Sequence, residues 1–215
     1  MPVVLDALSQ LGWGRVQTGK VYLAYGRGGV GKNLFLILTS LSFASQGMRV
    51  LYLMPESVDV RLFPSQIGNE YAVSNESYGR LSFLIPEGAH PEEKIIRTIE
   101  EVKPSLIIYQ RANALYSAHT STLPSFSSNY GQLFAQFLAR IRGFVTREGV
   151  TAMFSIESSS TRKPAGYAHI RYFSDYLVEF GTFMNRKWVT FTDAKKTERR
   201  FYTIDKFEFQ VIRAG

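Results

Sequence analysis

The chain has 215 residues, of which 45% are hydrophobic and 20% are charged, and its formal net charge is +7. This length and balance suit one globular domain with a full core. The absence of cysteine excludes disulfides, thiolate metal sites and cysteine nucleophiles, and three scattered histidines argue against a histidine-built metal site. No apolar run reaches the roughly 18 residues of a membrane span, and no secretory signal pattern is present. We therefore expect a cytoplasmic protein without a membrane partner.

The first two thirds of the sequence alternate between predicted strands and predicted helices. A short helix or turn over 3–12 leads to a strand at Val21–Tyr25, a glycine-rich turn and an apolar helix over 32–45. Further helices are predicted from Pro91 and over Tyr130–Arg147, because Pro suits the first helical position and apolar residues recur at helical spacing. The remaining apolar runs predict strands at Arg49–Met54, Leu81–Ile85, Leu106–Tyr109 and Thr151–Ile156.

The last third has a different pattern. After a polar loop, ESSSTRKPAGYAHIR, the segments YFSDYLVEFG, RKWVTFTD, RRFYTID and KFEFQVI alternate and are rich in aromatic and β-branched residues. This pattern is typical of antiparallel strands joined by short turns. The sequence thus predicts an α/β fold: a mainly parallel central sheet flanked by helices and extended by C-terminal antiparallel strands, all in one domain over 1–215. Ligands bind such sheets at the rim formed by the carboxyl ends of the parallel strands.

The turn after the first strand has the spacing of a nucleotide-binding P-loop, Gly26-x-x-x-x-Gly31-Lys32. Glycines let the backbone curl so that N–H groups point at phosphate oxygens, and the following helix adds its positive N-terminal end. The lysine of such a loop reaches the β- and γ-phosphates. The pattern therefore predicts a site for ATP phosphates formed by Gly26, Arg27, Gly28, Gly29, Val30, Gly31, Lys32 and Asn33.

Two departures from the motif bear on hydrolysis. Asn33 follows the lysine, where a Ser or Thr hydroxyl ordinarily binds Mg²⁺, and the strand PSLIIYQRA ends in Tyr109-Gln110 without the expected aspartate. Both changes weaken Mg²⁺ coordination, so we predict no metal site, weak ATP binding or none, and slow or absent hydrolysis. The carboxylate placed to activate a water is Glu56, which follows the second strand.

In their order, these segments resemble the core ATPase domain of the RecA/RadA recombinase superfamily, and most of all the short archaeal RadA paralogs of the RadB type. The resemblance implies a RecA-like P-loop NTPase fold, with Glu56 at the family's catalytic glutamate and Tyr109 or Gln110 at its Walker B aspartate. Glu157 or Ser158 replaces the family's phosphate-sensing polar pair. The stretches that carry the resemblance are LDALSQLGWGRVQTGKVYLAYGRGGVGK, RVLYLMPES, PSLIIYQRANALYSA, VTAMFSIESSS, KPAGYAHIRYFSDYLVEFG and RRFYTIDKFEFQVI.

The resemblance also implies partners. Two loops on the family's sheet rim contact DNA and correspond here to residues 112–129 and 158–170, and the net charge of +7 independently favours a polyanion. Single-stranded DNA is the expected form, and a RadA-type recombinase or another repair protein is the expected protein partner. The residues suited to phosphate contact and base stacking are Arg162, Lys163, Tyr167 and Arg171.

Three functions remain open on the sequence alone. The first is an accessory protein of homologous recombination and DNA repair whose degenerate nucleotide site hydrolyses ATP weakly or not at all. The second is an active DNA-stimulated ATPase that uses Glu56 as its base. The third is a regulatory module on a RecA fold that has no contact with DNA, as in clock, secretion or motility systems, since a fold does not fix a function.

Overall fold

The computed structural model of the protein describes residues 6–54, 66–67, 69–87, 90–116, 127–158 and 164–212, without the side chains of 127–129. A nine-stranded sheet in the order β3–β2–β4–β5–β1–β6–β7–β8–β9 organises the fold. The strands are β1 (Val21–Gly26), β2 (Val50–Leu53), β3 (Leu81–Leu84), β4 (Leu106–Tyr109), β5 (Thr151–Glu157), β6 (Tyr176–Phe183), β7 (Arg186–Thr192), β8 (Thr197–Asp205) and β9 (Glu208–Val211).

Strand direction divides the sheet into two parts. The six strands from β3 to β6 pair in parallel, whereas β7, β8 and β9 are added by antiparallel hairpins. The predicted α/β fold, with a mainly parallel sheet flanked by helices and an antiparallel C-terminal extension, is thereby confirmed. One detail was wrong: β6 was expected among the antiparallel strands, yet it runs parallel to β1. Its position beside β1 follows because a helix precedes it and provides the crossover that parallel pairing requires.

Helices cover both faces of the parallel part. They are α1 (Ala7–Gln10), α2 (Lys32–Ser45), α3 (Asn75–Tyr78), α4 (Pro91–Val102), α5 (Ser127–Glu148) and α6 (Tyr167–Phe173). The predicted bounds of α2 agree with the structure, and Pro91 begins α4 with Glu92 and Glu93 in its first turn. The loop prediction for ESSSTRKPAGYAHIR was wrong in its second half, because α6 begins at Tyr167 after the left-handed Gly166.

The core lies in two layers, one on each side of the sheet. Alternate residues of each strand point into opposite layers, so Tyr22 and Ala24 of β1 pack with α2 while Val21 and Leu23 pack with α4 and α5. The predicted apolar face of α5 is buried except for Leu133, which is 55% exposed. Of the helices that the structure describes, none is long and apolar enough to cross a membrane.

Candidate phosphate-binding site

The glycine-rich loop joins the central strand β1 directly to the N-terminus of α2. Gly26 has a φ of 142°, and a Cβ at this position would lie 2.0 Å from the carbonyl oxygen of Phe180 on β6. Gly31 is the N-cap of α2 at a φ of 100°. Both positions therefore require glycine, and the loop turns sharply at the carboxyl edge of the parallel sheet.

The first turn of α2 is open to a ligand. Its N-cap provides no side-chain hydrogen bond, and the first turn carries no acidic residue. The initial N–H groups of a helix have no partner within the helix, and the helix dipole makes this end positive. Asn33 is exposed in this turn, as are Arg27, Gly28 and Gly29 in the loop before it. The arrangement offers backbone donors to an anion.

Lys32 is held inside the loop that precedes it. Its side chain is buried, and Nζ donates a hydrogen bond to the carbonyl oxygen of Arg27. Burial lowers the pKa of the Lys32 ammonium, and the Glu157 carboxylate partly opposes this effect. The desolvated ammonium would interact favourably with a phosphate that replaced the Arg27 carbonyl as its partner.

The C-terminal hairpin holds the loop from the outer side. The hydroxyl of Tyr202 on β8 donates a hydrogen bond to the carbonyl oxygen of Val30. A Cβ placed on Gly31 would lie 2.9 Å from Ile204 and 3.1 Å from Phe209, so the hairpin packs directly on the loop. The antiparallel extension thus fixes the shape of the loop.

A cleft of about 550 Å³ lies in front of the loop, and we call it the phosphate cleft. Its apolar side is formed by Leu34 and Ile37 of α2 together with Ile204 and Phe207 of the β8–β9 hairpin. Its polar side is formed by the ends of β4 and β5. The residues that line it are Gly28, Gly29, Gly31, Lys32, Asn33, Leu34, Ile37, Gln110, Arg111, Ser155, Glu157, Ile204 and Phe207.

Gln110 lines the polar side with an unsatisfied oxygen. Its side chain is 7% exposed, and Oε1 has no hydrogen-bond partner among the residues that the structure describes. A buried polar atom without a partner costs free energy, so an orphan oxygen on the wall of a cleft indicates a place for a donor or a cation. Gln110 is held in position because its backbone N–H donates to the carbonyl of Leu53, 2.9 Å away.

Arg111 and Glu157 form an ion pair across the polar side. Arg111 Nε and Glu157 Oε2 are 3.3 Å apart, and the Arg111 N–H donates to the Ser155 hydroxyl at 2.9 Å. A Cβ on Gly28 would lie 2.8 Å from Glu157 Oε1, so this carboxylate faces the glycine loop. A negative charge at this point opposes a bound phosphate unless a cation neutralises it.

The structure shows which of the two adjacent side chains at the end of β4 faces the phosphate cleft. Tyr109 points into the opposite layer, where its ring packs edge-on to Phe137 with the centroids 6.2 Å apart. Gln110 is the residue that faces the loop. The sequence had left both residues as candidates for the position of the missing aspartate. Strand alternation directs adjacent side chains to opposite faces, so Gln110 rather than Tyr109 faces the cleft.

The remaining predicted site residues are dispersed. Glu56, Arg162 and Lys163 lie outside the described residues. Tyr167 begins α6 and is buried, with its ring 5.2 Å from that of Tyr25. Arg171 is exposed on the same helix. The base-stacking role predicted for Tyr167 does not agree with its burial, whereas Arg171 is accessible for contact with phosphate.

Six residues of the phosphate cleft were not named as site residues from the sequence, whereas the resemblance had already named Gln110 and Glu157. The six are Leu34, Ile37, Arg111, Ser155, Ile204 and Phe207. Ser155 and Glu157 follow from the alternation of β5 once its carboxyl end is known to face the loop. Arg111 could be placed near the cleft in the same way, because it lies two residues after the carboxyl end of β4. Nothing in the sequence pattern points to Ile204 and Phe207, because they reach the loop only through the stacking of three hairpins beside β6.

No group of three or more His, Asp or Glu residues within the described ranges is arranged to hold a metal ion. A scan against protein-family models and a search of curated proteins found no match to the chain.

Proposed function

We propose that the chain has a RecA-like P-loop fold and binds the phosphates of ATP at residues 26–33. One observation carries the proposal: the glycine loop leads into the uncapped N-terminus of α2, and the orphan oxygen of Gln110 lines the same cleft. The loop supplies backbone donors and a buried ammonium for the phosphates. The apolar side, with the aromatic ring of Phe207, suits a nucleobase.

The side chains that line the cleft are better suited to binding ATP than to hydrolysing it. Metal-assisted phosphoryl transfer uses Mg²⁺ held by a hydroxyl and an aspartate. Here the corresponding groups are the amides of Asn33 and Gln110, and Glu157, the one carboxylate among the described residues that line the cleft, is already paired with Arg111. Neutral amide oxygens hold Mg²⁺ less strongly than a carboxylate does. We therefore propose weak or absent ATP hydrolysis.

The cellular role that we propose follows from the resemblance to the RadA paralogs. It is a cytoplasmic accessory role in homologous recombination and DNA repair, through contact with single-stranded DNA, with a RadA-type recombinase or with both. The exposed Arg171 and the net charge of +7 support a polyanion partner. Arg162 and Lys163 belong to the proposed DNA contact by their place in the sequence alone.

The proposal is tested by calorimetric titration of ATP, with and without Mg²⁺, into the wild type and Lys32→Ala. We expect binding to the wild type and a loss of about tenfold or more in the variant, because a charge-assisted contact with phosphate is removed. Lys196→Ala is the matched control, since Lys196 lies in the β7–β8 turn at the other end of the sheet. Equal affinity for all three proteins, or no binding at millimolar ATP, would contradict the proposal.

Phosphate release under multiple turnover separates the alternatives. We expect no Mg²⁺-dependent turnover above a few per hour, far below the rates of about 1 per second and above that are usual for enzymes. Rapid turnover abolished by Lys32→Ala and by Glu56→Gln would favour the active ATPase. A chain that binds ATP but shows no salt-dependent affinity for DNA would favour the regulatory module.

A further inference from the structure

The outer strands β6, β7 and β8 have one face that does not belong to the core. Phe180, Val189 and Tyr202 point into the α2 layer, so their neighbours in each strand point to the opposite side. We call that opposite side the open sheet face; its central residues are Gly181, Phe183, Trp188, Arg199 and Phe201. Solvent reaches it, since Thr203 on this face and Arg199 are both exposed.

The open sheet face presents aromatic rings in a row across three strands. Trp188 is the cross-strand partner of Gly181 on one side and of Phe201 on the other. A Cβ on Gly181 would lie 2.2 Å from the Trp188 ring, so the missing side chain lets the indole lie across β6. Phe183, next along β6 on this face, is 60% exposed at the end of the β6–β7 hairpin. Trp188 and Phe201 are half-buried, so the three rings form a contiguous and partly exposed apolar strip, and contiguous strips of this kind mark interaction sites.

Arginines accompany the rings. The guanidinium carbon of Arg199 lies 4.4 Å from the centroid of the Trp188 ring, and its Nε donates to the Thr190 hydroxyl at 3.2 Å. Arg186 is exposed and is the cross-strand partner of Phe183. Among the acids on this face, Glu179 interacts with the hydroxyl of Tyr25, and Asp205 lies at the far end of β8. Glu179 lies in the same cross-strand row as Arg199, with Thr190 between them, so the positive charge of the face comes from Arg199 and Arg186 on either side of the aromatic row.

We propose that the open sheet face binds single-stranded nucleic acid, with bases stacked on Trp188, Phe201 and Phe183 and phosphates held by Arg199 and Arg186. Rings on an accessible sheet surface offer stacking area for unpaired bases, and neighbouring arginines neutralise the backbone. The strands carry threonines rather than aliphatic side chains between these rings, which suits a polar ligand better than an apolar protein surface. The inference rests on the proposed function and places its DNA contact on the open sheet face rather than on Arg171 and the 158–170 segment, at a site separate from the phosphate cleft.

The two tryptophans of the chain make a direct test available. Trp13 packs on Phe191 in the opposite layer, and the guanidinium carbon of Arg200 lies 5.1 Å from the centroid of the Trp13 ring. Trp13 is therefore a matched fluorescent reporter on the other side of the sheet. The probe is an oligothymidine of about 12 nucleotides, within the usual range of site sizes. In Trp13→Phe only Trp188 emits, and we expect the oligonucleotide to quench it in a saturable manner. In Trp188→Phe only Trp13 emits, and we expect no quenching.

Anisotropy of the labelled oligonucleotide gives the affinities. We expect Trp188→Ala to weaken binding about tenfold, as for the loss of one stacked base, and Trp13→Phe to leave it unchanged. Arg199→Gln should reduce the salt dependence of binding by about one phosphate contact. If Trp188→Ala fails to fold, quenching of Trp188 fluorescence in Trp13→Phe still tests whether the oligonucleotide binds at the open sheet face.

Several results would overturn the proposal. They are wild-type affinity in Trp188→Ala, no quenching of Trp188 while the oligonucleotide binds, or no binding at low salt. Loss of binding in Arg171→Ala but not in Trp188→Ala would place the contact on α6 instead. Wild-type oligonucleotide affinity in Lys32→Ala, measured without nucleotide, separates this surface from the phosphate cleft, so that either can fail alone. Capture of a purified recombinase without any affinity for DNA would assign the face to a protein partner.

Discussion

Among the described residues that line the phosphate cleft, Glu157 carries the negative charge that would oppose a phosphate bound there. Its carboxylate faces Gly28 and forms an ion pair with Arg111. In Glu157→Gln the repulsion is removed and the Arg111 charge becomes available to the phosphates, so we expect ATP affinity to rise about tenfold. Calorimetry measures the change, with Glu148→Gln as the control because Glu148 ends α5 at the opposite edge of the sheet. A fall in affinity would mean that the carboxylate assists binding.

The Tyr109 hydroxyl allows the effect of one buried polar group on the free energy of unfolding to be measured. Its hydroxyl is buried in the α5 layer and has no hydrogen-bond partner within the described ranges, and burial raises its pKa well above the ordinary value. In Tyr109→Phe the ring contacts stay while the unsatisfied group is removed. We expect unfolding free energy to rise by about 1 kcal/mol and ATP affinity to stay the same. Chemical denaturation checks the first expectation, and a loss of stability would reveal a partner for the hydroxyl.

The glycine spacing was sufficient to predict the turn between β1 and α2, because the positive φ of Gly26 and Gly31 favours glycine. The sequence could not predict whether Tyr109 or Gln110 faces the cleft, because Tyr109 is the last residue of the apolar run LIIY and Gln110 is the next residue. A shift of one residue moves a side chain to the other face of a strand. Strand register therefore limited residue-level prediction at the end of β4, and the phosphate-binding role of the loop residues stays a prediction.

At the scale of elements, the β8–β9 hairpin supports the loop between β1 and α2. The Tyr202 hydroxyl donates to the Val30 carbonyl, which is buried beneath the hairpin. We expect Tyr202→Phe to lower unfolding free energy by about 1 kcal/mol and to weaken ATP binding several-fold, because the loop loses a fixed contact. Tyr176→Phe is the control, since its hydroxyl donates to Gln17 far from the loop. Unchanged ATP affinity in Tyr202→Phe would show that the loop holds its shape without the hairpin.

The junction of α5 with β1 and β6 depends on a carboxylate. Asp175 accepts a hydrogen bond from the Val21 N–H at 2.8 Å and a bidentate pair of bonds from Arg142. Burial raises the pKa of Asp175, but the bonds from Arg142 and Val21 outweigh it and hold the pKa below the ordinary value. The folded state thus binds this proton less readily than the unfolded state. Its stabilisation is full above about pH 4 and is lost as pH falls below that value.

We expect Asp175→Asn to lower the melting temperature at pH 7 and to flatten its decline between pH 5 and about pH 3. The reason is that the variant lacks the group whose protonation weakens the wild type. Thermal denaturation at several pH values, with Asp205→Asn as a control on the exposed β8–β9 turn, measures the difference. Parallel pH profiles for the wild type and Asp175→Asn would exclude this ion pair as a source of acid sensitivity.

Element types were predictable to different degrees. The helices α2 and α4 agree with the structure because their sequence signals act locally: α2 is a long apolar run followed by Gly47 in the left-handed region, and α4 begins with Pro91 and two acids in its first turn. The helix α6 was missed because its seven residues are preceded by Pro164 and Gly166 and resemble a loop in composition. A helix this short is stabilised by packing rather than by its own sequence, and here Ile170 is buried in the α5 layer.

At the scale of the whole molecule, one sheet separates two surfaces. The carboxyl edge of the parallel strands carries the phosphate cleft, and the outer antiparallel strands carry the open sheet face. The sequence predicted the alternation of strands and helices and the change to hairpins. It could not predict that β6 joins the parallel part, because pairing direction depends on contacts distant in sequence. That pairing brings Tyr202, Ile204 and Phe209 to the loop.

Recognition of phosphate by the glycine loop can be tested by comparing the binding of ADP with that of adenosine. Calorimetry on the wild type should show that ADP binds more tightly, by about tenfold or more, because the two phosphates meet the backbone donors and Lys32. In Lys32→Ala this advantage of ADP over adenosine should shrink towards equality, while any affinity for adenosine itself remains. An equal affinity of the wild type for both ligands, or an advantage of ADP that persists in Lys32→Ala, would show that the loop does not recognise phosphate through Lys32 and its backbone donors.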